Sequence, residues 1–103
     1  MSELDEFRLL RKFFGAYFHE DWLCEADTTE AVVDDFARWK TPEELRTVSN
    51  AIRMYSTRYS DGKELERRLF TELRCYYLPS ADGLTAKAWL ESVADRLSQG
   101  IPN

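Results

Sequence analysis

The chain has 103 residues, 44 % of them hydrophobic, and a formal net charge of −5. The length suits one domain that can hold a core without metal or disulfide staples, and the composition excludes a disordered chain. The acidity argues against sequence-independent nucleic-acid binding, which needs Lys and Arg to displace counterions from phosphates, and against adhesion to anionic membranes. It suits a basic protein partner, because opposite charge speeds and filters encounter.

Ser2 is a candidate cap for a first helix over about residues 3–18, where Leu4, Phe7, Leu10, Phe14 and Phe18 recur at helical spacing and share a face. Phe13 and Tyr17 widen that stripe toward its end, as expected where other elements surround it. Gly15 leaves room for a neighbouring helix, at a cost of up to about 1 kcal/mol against alanine. Residues 19–27 have no clean period and read as a loop. Asp27 and Glu30 form a capping pair for a second helix over about 28–39, with Val32, Val33, Phe36 and Trp39 inward and Asp34 and Asp35 outward.

Thr41-Pro42-Glu43-Glu44 is the clearest local signal: a cap, a proline at the first helical position, and a glutamate closing the capping box. It predicts a third helix with Leu45, Val48, Ile52 and Tyr55 on one face, ending near Tyr59. Ser60-Asp61-Gly62 predicts a turn, Asp61 and Glu64 again stand at capping spacing, and a fourth helix carries Leu65, Leu69 and Leu73. The stretch from Cys75 to Gly83 is a second irregular segment, with turns at Pro79 and Asp82-Gly83. Thr85 caps a last helix with Trp89, Leu90, Val93 and Leu97 toward the core, stopped by Gly100 and Pro102. There is no repeat, no linker and no sustained period-two alternation. The expected architecture is all-α, a compact single domain over residues 1–103 built as a bundle of about five helices.

Candidate chemistry is sparse. His19 is the sole histidine, and His19-Glu20 begins like a zinc-protease HExxH motif, but Leu23 stands where the second histidine must be. Cys24 and Cys75 make neither a CxxC pair nor a disulfide framework, and each reads as a reduced core or near-core residue rather than as a nucleophile paired with His19. No phosphate loop, nucleophile elbow or calcium loop is present. The expectation is a protein with no catalysis, no cofactor and no metal. No apolar run is long enough to span a bilayer, and the acidic start Met1-Ser2-Glu3-Leu4-Asp5-Glu6 is unlike a secretory signal. The expected location is the cytoplasm.

The strongest charge feature is Glu20, Asp21, Glu25, Asp27, Glu30, Asp34 and Asp35, seven carboxylates with no Lys or Arg among them. A charge run often only solvates a face, yet like charges held together cost stability, so an anionic patch for a cationic partner is the functional reading. Aromatics at its edge suit a protein interface. Tyr76 and Tyr77 are adjacent, so only one of them easily points inward.

At Gly15-Ala16-Tyr17-Phe18-His19-Glu20-Asp21-Trp22 the chain resembles the immunity proteins of contact-dependent growth inhibition systems. The later Cys75-Tyr76-Tyr77-Leu78-Pro79, Asp82-Gly83-Leu84-Thr85 and Trp89-Leu90 look like the same family's second signature. The family often has glycine where Arg74 stands and an acidic residue where Leu78 stands. The resemblance implies a bacterial cytoplasmic protein that binds the toxic C-terminal domain delivered by a neighbouring cell, often a nuclease, and neutralises it stoichiometrically. Tyr17, Phe18, His19, Trp22, Cys75, Tyr76 and Trp89 are then expected to be structural, with His19 and Asp21 fixing the turn between helices. Toxin contacts are expected from the seven carboxylates and Tyr77, and the free protein is expected to be a monomer. The alternative is a helical adaptor or regulatory module for another basic host protein; a small enzyme using His19 and a carboxylate is the third reading.

Overall fold

A computed structural model of the chain describes residues 3–20, 22, 28–59 and 61–99. Among these it is all-α, with five α-helices: α1 (Glu3–Tyr17), α2 (Thr29–Arg38), α3 (Pro42–Ser56), α4 (Gly62–Leu73) and α5 (Ala86–Gln99), plus a 3-10 turn over Pro79–Asp82. The assembly measures 36 × 33 × 19 Å, so it is about two helix layers deep.

The helix starts follow local chemistry. Thr41 accepts a bond from the Glu44 N–H at 3.1 Å while the Glu44 carboxylate accepts from the Thr41 N–H at 3.4 Å, completing the predicted box at α3. Thr85 Oγ1 accepts from the Ala88 N–H at 3.1 Å and starts α5. At α2 the cap is Thr28, which accepts from the Ala31 N–H; Asp27 lies outside the described residues, as do Ser2, Gly100 and Pro102. Asp61 caps α4 through the Lys63 N–H, but Glu64 does not close a box there. It accepts three hydrogen bonds from Arg67 and Arg68 instead, and these hold its carboxyl down to about 2.

Two helix ends differ from the periodicity. α3 stops at Ser56, short of Tyr59, because the Ser56 and Thr57 hydroxyls donate to the Arg53 and Met54 carbonyls and compete with the next helical turn. Trp39, expected inward, is 74 % exposed. α2 ends one residue earlier, and Trp39 caps it with φ −105° and ψ 9°, so the 3.6-residue rotation no longer sets its direction.

The helices bury one continuous core. α3 and α5 form the most extensive pair, with Val48, Ile52, Leu90, Val93, Ala94 and Leu97 all buried and the buried Ser49 hydroxyl donating to the Ala94 carbonyl at 2.8 Å. Across from this pair, Phe13 and Phe14 of α1 meet edge to face at 4.7 Å, Phe13 meets Phe36 of α2 at 4.6 Å, and Phe14 lies 5.8 Å from Trp89 of α5. Burying each such ring contributes about 1.5–3 kcal/mol, and the edge-on geometry contributes about 1 kcal/mol more per pair. Gly15 brings α1 against the end of α4, where a Cβ would stand 3.6 Å from the Leu73 carbonyl oxygen.

Candidate interaction surface

The two unusual sequence blocks meet in space. α1 ends at Tyr17, and the Phe18 carbonyl then accepts a hydrogen bond from the Tyr76 N–H at 2.7 Å. α4 ends because Arg74 adopts the left-handed region, φ 57° and ψ 37°, which turns the chain back so that the Cys75 N–H donates to the Leu69 carbonyl. From there the backbone is extended, helped by Pro79, which disfavours helical geometry at Leu78. Side chains therefore alternate: Cys75, Tyr77 and Pro79 point in, Tyr76 and Leu78 point out.

The inward members build a clamp. The Tyr77 ring lies 4.8 Å from Trp89, 5.7 Å from Trp22 and 6.5 Å from Phe18, and its hydroxyl donates to Asp82 at 2.7 Å. Burial and that carboxylate push the phenol above its ordinary value. The Ser80 N–H and hydroxyl both donate to Glu66 of α4, at 2.8 and 3.0 Å, and Gly83 supplies the left-handed turn that closes the segment. Cys75 is fully buried and its thiol is pushed up to about 12 by burial, which makes it inert as a nucleophile at neutral pH.

The outward members form the main apolar surface at this end. Phe70, Tyr76, Leu78 and Leu84 are between 42 and 45 % exposed, with Phe70 and Tyr76 in edge contact at 5.1 Å. Beside them a cleft of about 590 Å³ runs to the start of α2, lined by Trp22, Thr28, Glu30, Tyr77, Asp82 and Trp89 among others. The Trp89 Nε1 is buried and has no hydrogen-bond partner among the described residues.

The expected site residues divide by location. Glu20 and Glu30 are exposed, and Glu30 faces the cleft. Asp21, Glu25 and Asp27 lie outside the described residues. Asp35 is exposed, 3.8 Å from Arg38. Asp34 does not simply face outward: Arg96 of α5 grips both its oxygens at 2.7 Å, and those bonds hold its carboxyl below the usual range. Of the signature residues, Phe18, Trp22, Cys75 and Trp89 are buried, while Tyr17 is half-buried against Phe36 at 5.1 Å. His19 is half-buried, and its carbonyl accepts from the Trp22 N–H at 3.0 Å. Tyr76 contributes its backbone to the fold but shows its ring to solvent. Phe70, Leu78 and Leu84 are exposed apolar residues that the helical periodicity does not mark. The available signal was the in–out alternation over 75–79, and it is too short to stand out by itself.

Among the described residues no group of three or more His, Cys, Asp or Glu side chains is arranged to hold a metal ion, and no helix is long and apolar enough to cross a membrane. The described residues form an all-helical domain with an exposed apolar patch beside a carboxylate-lined cleft. The chain belongs to the CdiI immunity protein family, whose model matches residues 6–97. It is therefore an immunity protein, and its task is to neutralise a toxin. No curated protein and no solved structure matches the chain.

Proposed function

We propose that the protein works in the cytoplasm, binds its cognate toxin domain one to one without performing chemistry, and that this toxin is a nuclease. The observation that carries the proposal is the Phe70–Tyr76–Leu78–Leu84 patch, set beside the Glu30 end of the acidic stretch. Apolar anchors of this kind supply affinity. Glu20, Asp21, Glu25, Asp27, Glu30 and Asp35 supply attraction and register. A nuclease carries a cationic surface for its phosphate substrate, and an acidic inhibitor face competes for that surface. Tyr77 acts by holding the clamp rather than by touching toxin, because its hydroxyl is committed to Asp82. Asp34 is likewise engaged with Arg96 and is left out of the contact.

The test is calorimetric titration against the toxin domain encoded directly upstream. Expected are one toxin bound per chain and, for Leu78→Lys and for Tyr76→Ala, affinity reduced by about tenfold or more, equivalent to about 1.4 kcal/mol, with the helical circular dichroism unchanged. Asp35→Lys slows association and flattens its salt dependence. Wild-type affinity in both patch variants sinks the assignment of this face.

A further inference from the structure

A second open surface lies at the other end of α2. A groove of about 790 Å³ separates α1 from α2 and the start of α3, a size within the roughly 300–1,000 Å³ of ordinary binding clefts. Its floor is apolar, with Leu9, Phe13, Tyr17, Phe36 and Val48. Its rim carries two cations, Lys12 and Lys40, and two carboxylates, Glu43 and Glu44. Glu44 is occupied in the capping box and Lys40 rests 5.4 Å over the Phe36 ring. Lys12 and Glu43 are exposed and join none of the ion pairs among the described residues. Immediately beside the groove stands Trp39, the most exposed large apolar side chain described. It precedes Lys40 in the chain but does not line its own groove.

We infer that this groove is the contact between two copies of the chain, each placing Trp39 in the other's groove. A basic toxin is met best by a rim of one sign, whereas this rim is mixed. A mixed rim is self-complementary. In a two-fold interface residue i meets j and j meets i, so Lys12 of each copy can face Glu43 of the other. Trp39 supplies the aromatic anchor that such interfaces concentrate at their centre. The apolar patch proposed for toxin lies beside the start of α2, at the opposite end of that helix from this groove.

Sedimentation equilibrium of the full chain, without toxin, tests this independently of the toxin-binding face. The expected result is a mass of two chains that falls to one on dilution. Trp39→Ala is exposed and leaves the fold intact; it should weaken self-association by about tenfold or more. Lys12→Glu and Glu43→Lys should each weaken it alone, and an equimolar mixture of the two should restore pairing, because each opposed pair regains opposite charge. A single-chain mass at every concentration overturns the inference. So does a dimer indifferent to Trp39→Ala, or a mixture of the charge variants that pairs no better than either alone. If the chain stays single and Trp39→Ala instead weakens toxin binding, the groove belongs to the toxin.

Discussion

Asp34→Asn separates structure from steering in the acidic stretch. The substitution keeps the shape of the side chain and removes its charge, leaving Arg96 without the carboxylate it grips at two points, both 2.7 Å. The two side chains are 31 and 40 % exposed, so solvent screens part of the interaction, and a cost of about 1 kcal/mol follows from exposed-pair measurements raised for two-point geometry. For a domain of this size that lowers the melting temperature by roughly 4–8 °C. The pH dependence has a definite sign. Because Arg96 holds the Asp34 carboxyl below its ordinary value, folding favours the charged form. The stabilisation is complete above the unfolded value of about 3.9 and is lost as pH falls through the lower folded value. Urea unfolding of wild type and variant should thus differ by a constant amount from neutral pH downward and converge only in acid. A double-mutant cycle with Arg96→Gln isolates the pair. Asp35→Asn is the control: it stands 3.8 Å from Arg38 with both side chains more than half exposed, and its effect should stay within about 0.5 kcal/mol. A coupling energy of zero for Asp34 and Arg96, or an equal cost for Asp35→Asn, would refute the reasoning.

Three further outcomes follow from single positions. Gly15→Ala should stabilise by up to about 1 kcal/mol in denaturant unfolding, since the new Cβ meets Leu73 O at 3.6 Å and Arg74 Cβ at 3.7 Å, both ordinary contacts; destabilisation would mean that α1 cannot approach α4 this closely. Arg74→Gly should also stabilise, by about 1 kcal/mol, because φ 57° strains any residue with a Cβ and the arginine side chain is exposed. In a Cys24→Ser background Cys75 should react with a thiol reagent only as fast as the protein opens, given its burial and a thiol raised to about 12; prompt reaction in native buffer contradicts that placement.

The helices were legible because their signals are local. The Thr41-Pro42-Glu43-Glu44 box, the Thr85 cap and the three- and four-residue spacings in α4 and α5 need no knowledge of the rest of the chain. What failed depended on where helices stop. The helical period carries Trp39 into the core one residue beyond the end of α2, and it turns Asp34 outward toward a partner protein because Arg96, which grips it, comes from the far end of the chain. The apolar patch was illegible for a related reason. Phe70 sits one position off the Leu65–Leu69–Leu73 stripe, and Tyr76 and Leu78 turn outward only because Arg74 reverses the chain and Phe18 fixes the register of Tyr76. Arg74 holds a left-handed backbone, φ 57°, that a glycine would relieve.

Two of the N-terminal aromatics have their partners late in the chain: Trp89 packs on Phe14 and Phe18, and the Phe18 carbonyl is satisfied from Tyr76. During synthesis the N-terminal helix therefore emerges long before the surface that covers it. Phe14 and Phe18 stay unshielded until α5 has cleared the ribosome, so nascent chains should be sticky up to that point and then fold in one late, cooperative step.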